Sequence, residues 1–290
     1  MCSSDLVPIA TASAARAEAQ RLNADGAIAI GGGSTTGLGK AIALDSGLPV
    51  IAIPTTYAGS EMTTVYGLTD AGLKTTGRDP RVLPRCVIYD PELSLGLPFA
   101  TTVVSAINAI AHAAEGLYAP DANPIIDVLA ERGIRACAAA LPALQRDPRD
   151  LTARGDALVG AWLCGTVMGS ITVGLHHKLC HTLGGSFNLP HAELHTVVLP
   201  HAIAYNAEAA PQAMQRIAAA LDARSAPAGL FDLAARHGAP TSLASIGVRA
   251  DDLDRAAELA VAKPYPNPRA LDRDAIRALL QRAFDGIRPD

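Results

Sequence analysis

Residues 26–47 read GAIAIGGGSTTGLGKAIALDSG, and this stretch decides the class of fold. The short apolar run at 26–30 stops at three glycines, which is typical of a buried strand followed by a tight turn. The residues after the turn predict a brief helix ending at Gly47, because glycine readily adopts the left-handed conformation that closes a helix. A second apolar run, PVIAIPTT, follows at 49–56. A strand, a helix and another buried strand favour a parallel sheet in an α/β domain.

The sequence pattern changes from strand-like to helix-like after residue 97. Before that point, residues 61–85 are polar and rich in turn signals, and CVIYDPEL from Cys86 predicts a third short strand. After residue 97, segments rich in alanine and leucine indicate helices and contain no convincing strand. These segments are 100–118, 124–144, 151–183, 191–206, 210–222, 228–237, 250–262 and 272–286. We therefore expect a partial dinucleotide-binding α/β domain over 1–96 and an all-α domain over 97–290. Three strands are too few for a free-standing doubly wound sheet.

Composition narrows the range of functions. Apolar residues make up 49% and charged residues 18% of the 290 residues, enough for a sizeable core. The net charge of −4 comes without any basic run, which argues against a nucleic-acid partner. The five cysteines are widely spaced and form no C-x-x-C pair, which is typical of a reduced cytoplasmic protein. No apolar stretch has the length of a membrane span, and the first residues lack the pattern of a signal peptide.

The glycine turn matches neither of two familiar phosphate-binding motifs. From Gly31 and Gly33, the third glycine of G-x-G-x-x-G would fall on Thr36. The Walker A spacing would place its first glycine on Ser34. The chemistry still suits phosphate, because glycines let backbone N–H groups approach an anion at the start of a helix. A plain turn in which glycine only relieves crowding is the alternative.

A second turn, PTTYAGSE at 54–61, also follows an apolar strand and is rich in hydroxyl groups. Ligands of open α/β sheets bind beyond the carboxyl ends of the strands. Two such turns on neighbouring strands therefore predict a dinucleotide site, with one turn for the pyrophosphate and the other for the ribose and nicotinamide. Alternatively, Thr55, Thr56 and Ser60 only cap the segment that follows them.

Half of the eight histidines lie within residues 176–191, which read HHKLCHTLGGSFNLPH. His177 and His181 are four residues apart and therefore share a helix face. His191 follows a proline and is expected to open the next helix. His176 lies one residue off the shared face and is expected to be packed or exposed. Several histidines at helical spacing beside turns favour a functional pocket over an ordinary polar face.

A metal site would need a further ligand from another helix. Asn108 and His112 are four residues apart in SAINAIAHAAEGLY, on another predicted helix. Three histidines and one carboxylate would be a credible site for a divalent metal. The position one turn before His112 carries an amide, and its neutral oxygen is a poor ligand for iron or zinc.

These motifs resemble the iron-containing alcohol dehydrogenase superfamily, and most closely its maleylacetate reductase branch. The similarity covers most of residues 7–206 in the family's order. The matching stretches are AIGGGSTTGLGKAIAL, IPTTYAGSEMT, GLTDAGLKTTGRDPRVLPRCVIYDPELSLGLP, NAIAHAAEGLYAP and GLHHKLCHTLGGSFNLPHAELHTVVLPH. The resemblance implies a dehydroquinate synthase-like fold, in which an N-terminal dinucleotide domain and a C-terminal helical domain flank the active-site cleft.

The resemblance also implies an activity, a cofactor and the residues that hold it. The activity is reduction of maleylacetate, a small dicarboxylate, to 3-oxoadipate with NADH or NADPH, in the degradation of aromatic compounds. We also expect a cytoplasmic homodimer with no nucleic-acid or membrane partner. The implied cofactor contacts are Gly31, Gly32, Gly33 and Ser34 at the pyrophosphate, Thr55, Thr56 and Ser60 at the ribose and nicotinamide, and Lys74 nearby.

Members of the superfamily that hold iron use one aspartate and three histidines. These align with Asn108, His112, His177 and His191, while His181 aligns with a histidine close to the nicotinamide. Asparagine in place of the aspartate is the pattern of the maleylacetate reductase branch, and it implies a catalytic pocket of these five residues without a metal. The alternative is a metal-dependent alcohol dehydrogenase of the same superfamily, with the asparagine as an unusual ligand.

The N-terminal region of the chain differs from that of the family. Members begin with additional strands and helices that form the first part of the nucleotide-binding half. Here the similarity starts near Val7, and MCSSDL matches nothing in the family. We therefore expect an N-terminally truncated chain, for which an inactive fragment that only folds or binds is a further alternative.

Overall fold

Two small sheets and a large helical region make up the protein, whose computed structural model describes residues 6–70, 73–187 and 189–290. The strands are β1 (Leu6–Pro8), β2 (Ala27–Gly31), β3 (Val50–Pro54), β4 (Val65–Asp70), β5 (Leu73–Arg78) and β6 (Cys86–Val87). The helices are α1 (Ile9–Arg21), α2 (Gly33–Ser46), α3 (Phe99–Gly116), α4 (Pro124–Arg146), α5 (Leu151–Ser170), α6 (Leu175–Phe187), α7 (His191–Asn206), α8 (Pro211–Ala220), α9 (Ala226–Arg236), α10 (Leu253–Val261) and α11 (Arg273–Phe284).

The strands predicted from the apolar runs form one parallel sheet in the order β2-β3-β6. Ala27 pairs with Val50, and Ile51 pairs with Cys86. α2 connects β2 to β3 and ends at Gly47, whose φ of 70° is the left-handed cap expected there. From α3 onward the described chain contains helices and loops. The predicted fold class, an α/β N-terminal part followed by an all-α part, is confirmed.

The expectation that β2 is a buried strand is wrong for one of its faces. Ala29 is buried against α2, whereas Ile28 and Ile30 are 66% and 56% exposed. The cause is the pleat of the strand, which sends alternate side chains to opposite faces of the sheet. Within the described chain α2 covers only one of these faces, so the two isoleucines remain exposed on the other.

A second sheet has the order β1-β4-β5, and its strands β4 and β5 lie within 61–85, where the sequence predicts only polar turns. That prediction is wrong because β4 and β5 pair as an antiparallel hairpin, with β1 parallel to β4. The sheet buries little apolar surface, mainly Val7 with Leu68 beside it, so its hydrophobic alternation is weak. Arg78 donates a hydrogen bond to the Ile171 carbonyl oxygen at 2.8 Å and thereby ties the hairpin to the end of α5.

The segment 151–183 also differs from its prediction, because it divides into two helices, α5 and α6, that are bent by 95°. Glu115 of α3 accepts hydrogen bonds from the N–H groups of Gly174 and His176 and so caps the start of α6. Among the described helices, no single one is long and apolar enough to cross a membrane. Among the described helices, only α5 and α6 taken together have the length and apolar composition of a membrane span.

Gly165 in α5 packs directly against Gly59, which lies in the second turn. Gly59 has a φ of 76°. A Cβ at Gly165 would lie 2.6 Å from the Gly59 carbonyl oxygen. We expect Gly165→Ala to lower the free energy of unfolding by about 1–3 kcal/mol, because backbone atoms would have to move apart. Gly155→Ala in the same helix is the matched control, since its Cβ would meet nothing within 4 Å. Denaturant unfolding should show the control unchanged or more stable by up to about 1 kcal/mol. Equal stability of Gly165→Ala and wild type would contradict this close contact.

Candidate active site

Five histidines line one cavity of about 270 Å³. The second turn and the β4–β5 hairpin form one wall of this cavity, and α3, α5, α6 and α7 form the rest. The five histidines are His112 from α3, His177 and His181 from α6, and His191 and His195 from α7. Arg78 and Lys178 also line the cavity, and no described lining residue is an aspartate or glutamate. The wall therefore offers cations and hydrogen-bond donors, with no carboxylate to repel an anion.

Helical spacing brings the predicted histidines together. His177 and His181 lie one turn apart on α6, with ring centroids separated by 6.2 Å. His191 is the first residue of α7, and the ring of His195, one turn later, lies 4.3 Å from it between centroids. The ring of His112 stacks on that of His177 at 5.3 Å, with an interplanar angle of 23°. All four histidines predicted for the pocket thus meet at one place, and their catalytic roles stay predictions.

Burial keeps several of these rings uncharged. It lowers the pKa of His112 well below its ordinary value, and the neighbouring His177 and His191 add to this effect. Burial is also the main cause of the lowered pKa of His195, followed by its neighbours His191 and His176. His112 and His195 are therefore neutral near pH 7, and a neutral imidazole can donate one hydrogen bond and accept another.

Glu115, which does not stand out in the sequence, orients the His177 ring. It is 1% exposed, and its Oε2 lies 2.6 Å from Nδ1 of His177. Its two oxygens also accept the backbone N–H groups of Gly174 at 3.1 Å and His176 at 2.8 Å. Because both oxygens act as acceptors, Nδ1 of His177 carries a proton and donates it. The available signal is spacing, since Glu115 lies one turn after His112 on α3.

His176 and His195 form a second buried pair, with His176 Nε2 and His195 Nδ1 3.0 Å apart. His176, expected to be packed or exposed, is therefore packed. His195 is a cavity residue that the histidine pattern at 176–191 does not include. Its spacing of four residues from His191 is the sequence feature that could have indicated it.

The residues that align with a metal site fit a divalent metal poorly. Asn108 is buried, and its Oδ1 has no hydrogen-bond partner among the described residues, but a neutral amide oxygen is a weak ligand for iron or zinc. Within the described chain, the group whose ligand atoms lie within 4.8 Å of one another is a different one, His176, His177 and His195. Two of these three rings are hydrogen-bonded to each other, which occupies one nitrogen on each.

The two glycine turns predicted to hold a cofactor lie side by side. The Thr55 N–H donates to the Gly31 carbonyl oxygen at 3.0 Å. A Cβ at Gly32 would lie 3.1 Å from Cγ2 of Thr56, so the close approach of the turns favours glycine there. α2 begins at Gly33 without a side-chain cap, which leaves N–H groups at its start available to an anion. This arrangement fits a pyrophosphate group.

The second turn also reaches the histidine cavity. Ser60 lines the cavity, and a Cβ at Gly59 would lie 3.4 Å from Nδ1 of His112. Lys40 of α2 is fully buried and donates to the Ser60 carbonyl oxygen at 2.6 Å, which fixes this turn against the helix that follows the first turn. The backbone of Lys74 belongs to β5, while its side chain lies outside the described part of the structure.

Comparisons with known proteins match nearly the whole chain. The family described as iron-containing alcohol dehydrogenase matches residues 6–91, and the C-terminal region of the Fe-containing alcohol dehydrogenase family matches 102–284. Maleylacetate reductase of Burkholderia cepacia is 68% identical over 283 residues, which are 98% of this chain and 80% of the relative. The similarity therefore extends over the strands and the helical region alike.

Solved structures show the same similarity. A putative alcohol dehydrogenase from Ralstonia eutropha JMP134 superposes with a TM-score of 0.97 at 66% identity, over 98% of this chain and 81% of that one. Maleylacetate reductase from Agrobacterium tumefaciens has a TM-score of 0.95 at 56% identity, over 99% of this chain and 82% of that one. Both similarities include the helices that carry the histidines.

Proposed function

Because the chain belongs to the iron-containing alcohol dehydrogenase family, we propose that it reduces maleylacetate to 3-oxoadipate with NADH or NADPH. The identity of 68% to a maleylacetate reductase over 98% of the chain supports this reaction. The observation that carries it is the cavity, where five histidines and two cations meet without a described carboxylate. Such a cavity suits maleylacetate, which carries a carboxylate at each end and a C=C bond conjugated to a ketone.

The nicotinamide cofactor is proposed to lie across the two glycine turns, where it supplies a hydride. The uncapped start of α2 and the contact between the turns support this placement. The residues proposed to hold it are Gly31, Gly32, Gly33 and Ser34 at the pyrophosphate, Thr55, Thr56 and Ser60 at the ribose and nicotinamide, and Lys74 nearby. The position of Gly59 beside His112 would bring the nicotinamide end close to the histidines.

The cavity side chains are proposed to stabilise the negative charge that develops on the substrate and to deliver one proton to it. When the C=C carbon farther from the ketone has been reduced, the ketone oxygen becomes an enolate oxygen. His112 is proposed to donate a hydrogen bond to that oxygen from its buried ring, where such bonds are strong. His177 is proposed to donate one from Nε2 in its doubly protonated form, because its Nδ1 proton is given to Glu115. His181 and His191 are only partly buried and are proposed to relay the proton that is added to the neighbouring carbon. One maleylacetate, one reduced cofactor and one proton then give one 3-oxoadipate and one oxidised cofactor.

The proposed site needs no metal, since imidazole groups can stabilise an enolate. Asn108, one turn before His112, is buried and is not among the described residues that line the cavity, and its amide does not supply the charge that iron or zinc prefers in a ligand set. The Glu115 carboxylate is engaged by two backbone N–H groups and His177, so it does not replace the missing ligand.

We further propose that the enzyme acts in the cytoplasm as a homodimer, in the breakdown of aromatic compounds. The described cysteines, Cys86, Cys137, Cys164 and Cys180, are all free thiols, as expected in a reducing compartment. The cofactor-binding part is proposed to comprise 1–96 and the catalytic part 97–290.

The test is to mix the purified chain with maleylacetate and NADH or NADPH, follow cofactor absorbance and identify the product by mass spectrometry. We expect 3-oxoadipate to form, with activity resistant to chelators and with iron and zinc far below one equivalent. A tightly bound equivalent, with activity lost to a chelator, would overturn the metal-free site. Alcohol oxidation restored by added iron or zinc, without maleylacetate reduction, would instead indicate a metal-dependent alcohol dehydrogenase.

A further inference from the structure

A second cavity of about 640 Å³ adjoins the histidine cavity. Thr76, Lys178 and His181 line both cavities and so mark the junction between them. Lys263 and Tyr265 line only the second one. The described lining residues of the second cavity, like those of the first, include no aspartate or glutamate. An anion that extends from one cavity into the other would therefore meet no described carboxylate on the way.

The two cations of the histidine cavity are engaged differently. Arg78 donates to the carbonyl oxygens of Ile171 at 2.8 Å and Gly169 at 3.4 Å, so part of its guanidinium holds the hairpin to α5. The Lys178 ammonium group has neither a hydrogen bond nor an ion pair with any other described residue. It lies 5.8 Å from the centroid of the Tyr265 ring. Of the two cations of the histidine cavity, Lys178 is therefore the one whose donors are not used by other described residues.

We propose that Lys178 binds one of the two carboxylates of the substrate at the junction of the cavities. This inference rests on the proposed reduction of maleylacetate. His177 and Lys178 are neighbours on α6, so their side chains leave the helix about 100° apart. The reacting C=C bond and ketone can therefore lie against the histidines while one end of the molecule reaches the lysine. A charge-assisted hydrogen bond to the ammonium group would then fix which end of the substrate faces the second cavity.

The first test is Lys178→Met, which keeps the length of the side chain and removes its charge. We expect the KM for maleylacetate to rise about 10- to 30-fold with little change in kcat, because the lost bond holds the substrate and does not act on the reacting atoms. Lys178→Arg should retain most of the affinity.

The matched control is Lys263→Met, because Lys263 is an exposed cation that lines the second cavity alone. This variant should change KM less than about 3-fold. Unchanged dissociation constants for NADH and NADPH would exclude a cofactor phosphate as the ligand, and a loss of cofactor binding in Lys178→Met would overturn the assignment.

The second test identifies the carboxylate and separates this inference from the reaction itself. Two analogues of maleylacetate, each lacking one end carboxylate, should respond differently. The analogue without the bound carboxylate should have the same KM in wild type and Lys178→Met, and the other should keep the difference. Calorimetry with 3-oxoadipate gives a readout that does not depend on turnover, with affinity expected to fall in Lys178→Met. A wild type that binds it but reduces no maleylacetate would overturn the proposed function alone. Equal affinity of wild type and Lys178→Met would overturn the role of Lys178.

Discussion

His177→Ala is expected to lower kcat for maleylacetate by about 1000-fold, the largest loss at any single position of the cavity. Three features of His177 support this expectation. Its Nδ1 is held by Glu115 at 2.6 Å, its Nε2 has no partner among the described residues, and its ring stacks on that of His112. A buried ring that is oriented on one side and unpartnered on the other is suited to bind a developing negative charge. Steady-state oxidation of NADH in the presence of maleylacetate measures the loss.

A second variant and a control make this result specific. His181→Ala should also lose most of the turnover, because His181 lines the same cavity one helical turn later. His201→Gln is the control, since His201 lies on α7 outside this cavity and burial lowers its pKa to about 4. It should leave kcat close to that of wild type. Near-normal turnover in both His177→Ala and His181→Ala would contradict the assignment of the pocket.

The sequence predicts the parallel sheet well but not the environment of its strands. The apolar runs of β2 and β3 look alike, yet Ile28 and Ile30 are largely exposed while Val50 and Ala52 are buried. Apolar content and alternation indicate that a strand exists, whereas burial depends on which distant segments pack on each face. The sequence does not predict the hairpin of β4 and β5 for a related reason, because backbone pairing holds it together and few apolar side chains mark it.

The candidate site is likewise only partly predictable from the sequence. His177 and His181 could be paired from the sequence, because residues four apart on a helix always share a face. The partnership of Glu115 with His177 could not, because it joins α3 to α6 across a separation of 62 residues. It depends on the bend between α5 and α6, which the apolar pattern of 151–183 does not reveal. Contacts within one helix are thus readable from spacing, and contacts between helices require the packing.

Glu115→Gln is expected to lower kcat by about 100-fold with little change in the KM for maleylacetate. The substitution preserves the shape of the side chain but replaces one acceptor oxygen with an NH₂ group, which cannot accept the Nδ1 proton of His177 or a backbone N–H. The His177 ring would then lose the acceptor that orients it, whereas the residues proposed to hold the substrate carboxylates stay in place. Steady-state oxidation of NADH should therefore show the loss in kcat rather than in KM.

The split between kcat and KM, together with rescue by aspartate, separates a positioning role of Glu115 from a merely structural one. Glu61→Gln is the matched control, because Glu61 is also a buried glutamate, accepts a hydrogen bond from the Tyr89 hydroxyl at 2.9 Å and is not among the residues that line the histidine cavity. Both variants should be less stable than wild type, since each alters a buried hydrogen-bonded carboxylate. Only Glu115→Gln should lower kcat about 100-fold, and Glu115→Asp should restore part of it. If Glu115→Gln lost stability but kept the wild-type kcat, Glu115 would serve only to cap α6, and the orientation of His177 would have to come from its packing against His112.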